Sequence, residues 1–268
     1  MSITSTRSFE CSCGAPLQIT VAESVNAGRH PHLRDALLAM DLHRFTCEVC
    51  GATAVVDTPF TYFDYDRKQL FLVLRRVDLA NEAEGIEQLA ALHAVSLGAA
   101  ASPGVQALGA GFMVRLCFGV LAVRDKVIAD DAKLNDLVLE ELKCSVLAVH
   151  PELAEAGTVA LWLDRVTDHE LVLLAESSRE AEHRLLEVPR AVYDALLERG
   201  AHSLVGARPD LVRGPHVSML RLGLAPLMSA CLGCELGPWA RCRGDHAAGS
   251  RVVGRRHQRK IRTGGLRA

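Results

Sequence analysis

Cys11-Ser12-Cys13-Gly14 and Cys47-Glu48-Val49-Cys50-Gly51 are two thiol pairs held 33 residues apart, and their reading decides how the first part of this chain folds. Zinc takes four soft ligands at the corners of a tetrahedron, and two tight Cys-containing turns can supply them two at a time. A glycine after the second cysteine of each pair lets the backbone curl back, so that amide N–H groups point at the sulfurs. Four thiolates close the coordination shell and leave no position for water. The spacing therefore predicts one structural Zn2+ on Cys11, Cys13, Cys47 and Cys50, and not a hydrolytic site. His30, His32 and His43 lie between the pairs and are alternative ligands. A redox-active thiol pair and four unliganded buried thiols are the competing readings of the same residues.

Around these turns the pattern is that of short strands. Leu17, Ile19 and Val21 alternate with polar residues. Pro31 opens a helix predicted over Pro31 to Met40. Ala52 to Val56, Phe60 to Phe63 and Gln69 to Leu74 are predicted strands, the last two joined by a turn at Asp64 to Arg67. Further on, Asn81 to Leu97 is helical and Pro103-Gly104 interrupts it. Phe112 to Phe118 reads as a strand and Ala122 to Ala129 as a short helix. Leu134, Leu137, Val138, Leu142, Val146 and Val149 form a helical apolar stripe ended by Pro151, with Glu140 and Glu141 expected on a solvated face. Val159 to Leu163 and Leu171 to Leu174 are a predicted strand pair, and Pro189 to Arg199 a last helix.

The expected fold class is α+β: an N-terminal zinc-ribbon-like β domain with a short inserted helix, then a mixed α/β C-terminal domain. The expected division is 1–77, a helical connector over 78–103, a second domain over 104–228, and a Cys-containing basic tail over 229–268.

Several motifs in the first half resemble the CpXC domain, a bacterial and archaeal family named for its two cysteine knuckles. They are F-x-C-S-C-G at 9–14, E-S-V-N at 23–26, H-P-x-L at 30–33, F-T-C-x-x-C-G at 45–51 and P-F-T-Y-F-D at 59–64. V-R-L-C-F-G at 114–119, R-D-K-V at 124–127 and L-N-D-L-V-L-E-E-L-K at 134–143 resemble the helical continuation of such proteins. Glu48 departs from the family pattern, standing where a proline would stiffen the turn, and removes no ligand. The resemblance implies a fold and a metal; it implies no activity.

Composition narrows the function classes. Hydrophobic residues make up 49% of the 268 and aromatics only 4%, so the core is built mainly from Leu, Val and Ala. Met1 to Glu10 is polar with no apolar run behind it, so no secretory leader is expected. Gly104 to Val123 is mostly apolar, but glycines interrupt it and Arg115 sits near its middle, where insertion costs roughly 2.5–3.5 kcal/mol. It reads as a buried strand flanked by short helices, not a membrane span. Nine cysteines, clustered and without a leader, point to metal ligands in a reducing, cytoplasmic setting.

The net charge of −2 hides an asymmetry. Residues 241–268 hold nine basic groups against Asp245, so the body carries a net charge of −10. Arg251, Arg255, Arg256, Arg259, Lys260 and Arg262 could contact nucleic-acid phosphates, although no aromatics interleave them and Trp239 is the nearest. Cys231, Cys234, Cys242 and His246 offer a second metal set. Asp164, Asp168, His169 and Glu170 read as a polar hairpin turn, and Cys117 and Cys144 as core thiols.

No phosphate-binding glycine loop, dinucleotide turn, zinc-protease helix or nucleophile elbow is present. The leading expectation is a non-enzymatic zinc-binding module that contacts an unidentified protein or a nucleic acid, without a membrane role. A redox-responsive zinc–thiolate switch with chaperone-like character comes second, and an enzyme with a pocket assembled in the second domain third.

Overall fold

The structure is a computed structural model that describes residues 2–177, 184–200, 209–222 and 241–242. Its contacts divide the chain after Arg124 into two units. The fold is α+β.

The first unit opens with a hairpin of β1 (Ile3–Glu10) and β2 (Pro16–Asn26). α1 (Pro31–Leu38) follows, then a small hairpin of β3 (Arg44–Thr46) and β4 (Thr53–Val55). β5 (Phe60–Asp64) and β6 (Gln69–Leu74) form another hairpin. A 3-10 turn over Arg76–Asn81 leads to α2 (Glu82–Ser96), α3 (Pro103–Gly109) and β7 (Met113–Phe118). Five strands make one mixed sheet in the order β1-β2-β5-β6-β7. Two of its pairings are parallel, β2 with β5 and β6 with β7. A parallel pair needs a crossover, and α1 with the β3–β4 hairpin supplies the first, α2 with α3 the second.

The second crossover explains where the units divide. A boundary expected near 77–103 would separate β6 from β7, yet six residue pairs from Gln69↔Met113 to Leu74↔Phe118 join them. α2 also packs Leu89 and Ile86 on Leu74, Leu116 and Phe118. Residues 78–118 are therefore part of the first sheet's structure, and Gly104 to Val123 runs as α3, β7 and the start of the next helix. No helix among the described residues is long and apolar enough to cross a membrane.

α4 (Val120–Asp131) spans the division, and α5 (Asp136–Val149) and α6 (Pro151–Glu155) follow. Asn135 caps α5 by accepting from the amides of Leu137 and Val138 at 3.0 and 3.2 Å. β8 (Thr158–Val166), β9 (Glu170–Ser177) and β10 (Arg184–Pro189) form an antiparallel sheet, and α7 (Arg190–Glu198) returns over it. β11 (Val212–Arg213) pairs with β12 (His216–Val217), and β13 (Arg241–Cys242) adds to β10. The Asp168–Glu170 segment is the β8–β9 turn, where Thr167 Oγ1 accepts the amides of His169 and Glu170. The core joins Leu137, Val138 and Leu142 of α5 to Leu161, Leu173 and Leu186 of the sheet. Cys117 and Cys144 are buried thiols, one in each unit.

Glu140 and Glu141 do not face solvent: twelve of the 14 residues of α5 are buried, and Glu140 is 2% and Lys143 0% exposed. The polar face of α5 packs against charged groups of complementary sign. Lys143 Nζ donates to Asp125 Oδ1 and Oδ2 at 2.8 and 2.9 Å and to Glu140 Oε1 at 2.9 Å. Lys126 Nζ donates to the same Glu140 oxygen at 2.9 Å and lies 3.7 Å from Asp136. The remaining Glu140 oxygen accepts the Met219 amide at 2.8 Å. Asp125 accepts the Leu163 amide, which ties α4 to β8. Burial alone would raise the Glu140 carboxyl, but Lys126 and Lys143 outweigh it and hold it down to about 2.

Removing one member of such a network leaves the others buried without compensation. Glu140→Gln should destabilise the second unit by about 3 kcal/mol in chemical denaturation and lower hydrogen-exchange protection at Met219. Glu87→Gln, at an exposed position on α2, should stay within about 0.5 kcal/mol of the parent.

Candidate metal centre

Each cysteine pair sits in a knuckle built the same way. In the first, the Cys11 amide donates to Ala15 O at 2.9 Å and the Gly14 amide to Cys11 O at 2.8 Å. In the second, the Cys47 amide donates to Ala52 O at 2.8 Å and the Gly51 amide to Cys47 O at 2.7 Å. Gly14 and Gly51 have φ of 85° and 69°, a left-handed region that side chains disfavour. A Cβ would meet nothing within 4 Å at either glycine, so backbone conformation and not space requires them.

The first knuckle is the tip of the β1–β2 hairpin and the second the tip of β3–β4. An apolar cluster of Ile19, Val21 and Val56, with Phe9, Leu17 and Phe45 packed on it, joins the two hairpins beneath the sulfurs. Thr46 and Thr53 hydroxyls pair across β3–β4 at 3.0 Å.

The four Sγ atoms all lie within 4.8 Å of one another. Two separations under 4 Å cross between the knuckles, Cys11 to Cys50 at 3.6 Å and Cys13 to Cys47 at 3.9 Å. A tetrahedron with metal–sulfur bonds of ~2.3 Å has edges of about 3.8 Å. Donor number, donor type and spacing therefore fit one metal ion. Cys11 and Cys47 are buried, while Cys13 and Cys50 are exposed.

The crowding splits the acidities of these thiols. The Cys13 amide donates to the Cys11 sulfur and, with the neighbouring thiols, draws Cys11 down to about 7. Cys50 receives the Ala52 amide, yet its proton is shared with Cys13 and Cys11, and it is pushed up to about 12. Cys11 and Cys50 are thereby shifted in opposite directions. A divalent cation among them removes that conflict.

None of the three histidines joins the cluster. His43 is a core residue, 5% exposed, with its ring edge on Phe60 at 5.3 Å. Its Nε2 accepts the Ala22 amide at 2.9 Å, which requires that nitrogen to be unprotonated. Burial, with Arg7 nearby, lowers its pKa. His30 and His32 meet edge to face at 5.9 Å. Of the second metal set, Cys231, Cys234 and His246 lie outside the described residues. Cys242 is in β13 opposite Leu186. Arg251, Arg255, Arg256, Arg259, Lys260 and Arg262 also lie outside them.

A feature the sequence reading passed over lies at one end of the same sheet. Asn26, Gly28, Arg29, Phe63, Tyr65 and Asp66 line an open groove of about 480 Å³. Phe63 stacks on Phe112 at 5.5 Å and 21°, and Tyr65 tilts over Phe112 at 6.2 Å. The signal was the run Phe60-Thr61-Tyr62-Phe63-Asp64-Tyr65, in which Phe60 and Tyr62 are buried while Phe63 and Tyr65 are not.

A family model described as CpXC protein matches residues 9–143. That span holds the four cysteines and also Asp125, Lys126, Asp136, Glu140 and Lys143. No curated protein and no solved structure matches the chain.

A histidine held neutral in the fold stabilises it above its unfolded pKa near 6.5, and that stabilisation is lost as pH falls toward the lower folded value. Between about pH 7.5 and 5.5 the parent should therefore lose more stability than His43→Gln, whose amide oxygen can accept from Ala22 without titrating. Parallel pH–denaturation series on the two metal-loaded proteins check this.

Proposed function

The chain belongs to the CpXC protein family, and on that premise we propose that its first unit is a non-enzymatic interaction module organised by one structural Zn2+. Cys11, Cys13, Cys47 and Cys50 would hold the ion. The observation that carries this reading is the four-sulfur cluster with its 3.6 and 3.9 Å cross-knuckle separations. Four thiolates satisfy a tetrahedral ion completely, so no open position remains at which a substrate or water would bind. When bound, the ion neutralises the thiolates and cross-links two hairpins that are remote in sequence. What the chain itself supplies is a surface of fixed shape, made of the five-stranded sheet and the knuckles, for a macromolecular partner. Val49, 77% exposed at the tip of the second knuckle, belongs to that surface. The cluster of unpaired thiols fits a reducing, cytoplasmic setting.

A redox-responsive site is the second reading, favoured by the exposure of Cys13 and Cys50, each within 4 Å of a buried thiol from the other knuckle. There an oxidant such as peroxide would take two electrons from each thiolate pair, forming one disulfide per pair with release of the metal.

Purified protein should contain about one zinc per chain. Cys47→Ser should release it and abolish hydrogen-exchange protection over residues 9–56, since structural zinc and folding are coupled. Metal and protection both retained in that variant would contradict the assignment. Zinc retained under mild peroxide supports the module; zinc released with disulfides formed supports the switch.

A further inference from the structure

The groove floored by Phe63 and Tyr65 combines aromatic surface with cations that no carboxylate claims. Aromatics are 4% of the chain. Three of them nevertheless meet here, with Tyr65 48% exposed and Phe63 and Phe112 only half-buried. Burial is where such rings stabilise a fold most, so three rings gathered at the surface call for a ligand with a flat face. α2 lies over β6 and β7 of this sheet, while the rings belong to β5 and the segments that follow β5 and α3.

The charges around the rings point the same way. Arg29 lines the groove, and Lys68 Nζ lies against Gly111, next to Phe112. Among the described residues neither Arg29 nor Lys68 is in an ion pair. Arg34 and Arg67 both approach one buried carboxylate, Asp64, at 3.9 and 3.1 Å. Asp66 is the carboxylate in the groove's lining; with Asp64 engaged by two arginines, the cations Arg29 and Lys68 outnumber it two to one, on a body whose net charge is −10. The Asn26 side chain accepts the Arg29 amide at 3.0 Å and fixes the turn that carries this arginine. Rings that can stack, flanked by free cations, match a strand whose bases are unpaired and whose phosphates run alongside. A duplex buries its base faces and would offer these rings nothing.

We propose that this groove binds single-stranded nucleic acid, with a base stacked on Tyr65 and Phe63 and neighbouring phosphates at Arg29 and Lys68. The inference rests on the reading of the first unit as an interaction module and names its surface and partner class. It places the contact on the sheet, apart from the basic residues after Arg251.

The test is fluorescence anisotropy on the zinc-loaded full-length chain with a labelled oligothymidylate of about 12 nucleotides. The same strand in duplex form serves as control, and salt is varied from roughly 50 to 200 mM. Binding should favour the single strand. Tyr65→Ala should weaken it about tenfold, the loss of one stacking contact, while zinc content and thermal midpoint stay unchanged. Arg29→Ala should weaken binding and reduce the salt slope by about 0.7, the share of one phosphate contact. Photocrosslinks from a bromouracil-substituted strand should map to 60–68 or 112. Absence of binding, equal affinity for the duplex, indifference to Tyr65→Ala, or crosslinks confined to 251–262 would each overturn the proposal. A zinc-loaded chain that fails these tests refutes the groove alone. A chain that passes them without zinc refutes the metal reading alone.

Discussion

Four sulfur atoms within 4.8 Å impose a charge problem that the rest of the first unit is arranged around. As thiols they can coexist, but as ligands they must all ionise, and like charges at under 4 Å repel strongly wherever water is partly excluded. The opposed shifts of Cys11 and Cys50 express that conflict within the chain's own groups. A tetrahedral divalent ion would resolve it. Left-handed glycines end each knuckle, two hairpins present the knuckles, and an apolar cluster of Ile19, Val21 and Val56 sets the hairpins side by side. The ion would also close a loop of more than thirty residues, whose ordering entropy would otherwise oppose the β2 to β5 crossover.

The second unit meets an electrostatic demand of a different kind. Two lysines and three carboxylates are packed between α4 and α5, and spare oxygens accept backbone amides from Leu163 and Met219. Buried ion pairs seldom add net stability over an apolar core. What this one contributes is register: Asp125 holds β8 against α4 and Glu140 holds the segment at Met219 against α5, both carboxylates lying within the family match. One unit thus gathers four soft thiols at the tips of two hairpins, and the other joins helices to sheet through hard charges.

Much of this was legible in the sequence because the signals were local. Alternation at Leu17, Ile19 and Val21 marks β2, Pro31 marks a helix start, Pro151 marks the end of α5, and the two Cys–Gly turns mark the knuckles. What was not legible is non-local. Nothing in β2 or β5 says that they pair in parallel, and nothing in β6 says that β7 joins it across two helices, so a boundary was expected inside the first sheet. Glu140 and Glu141 fell off the apolar stripe of α5 and read as solvated. The burial of Glu140 depends on Lys126, whose complementary charge sits one helix earlier, and on Lys143. Phe63 looked like an ordinary strand residue and Tyr65 like part of a turn; only the approach of Asn26, Gly28 and Arg29 makes a groove of them.

The central claim, that all four cysteines and nothing else hold one zinc ion, is tested most directly by zinc K-edge X-ray absorption on the purified chain. The account predicts a first shell of four sulfurs at ~2.3 Å with no nitrogen or oxygen neighbour. A shell containing an imidazole nitrogen or a water oxygen, or fewer than four sulfurs, would contradict it.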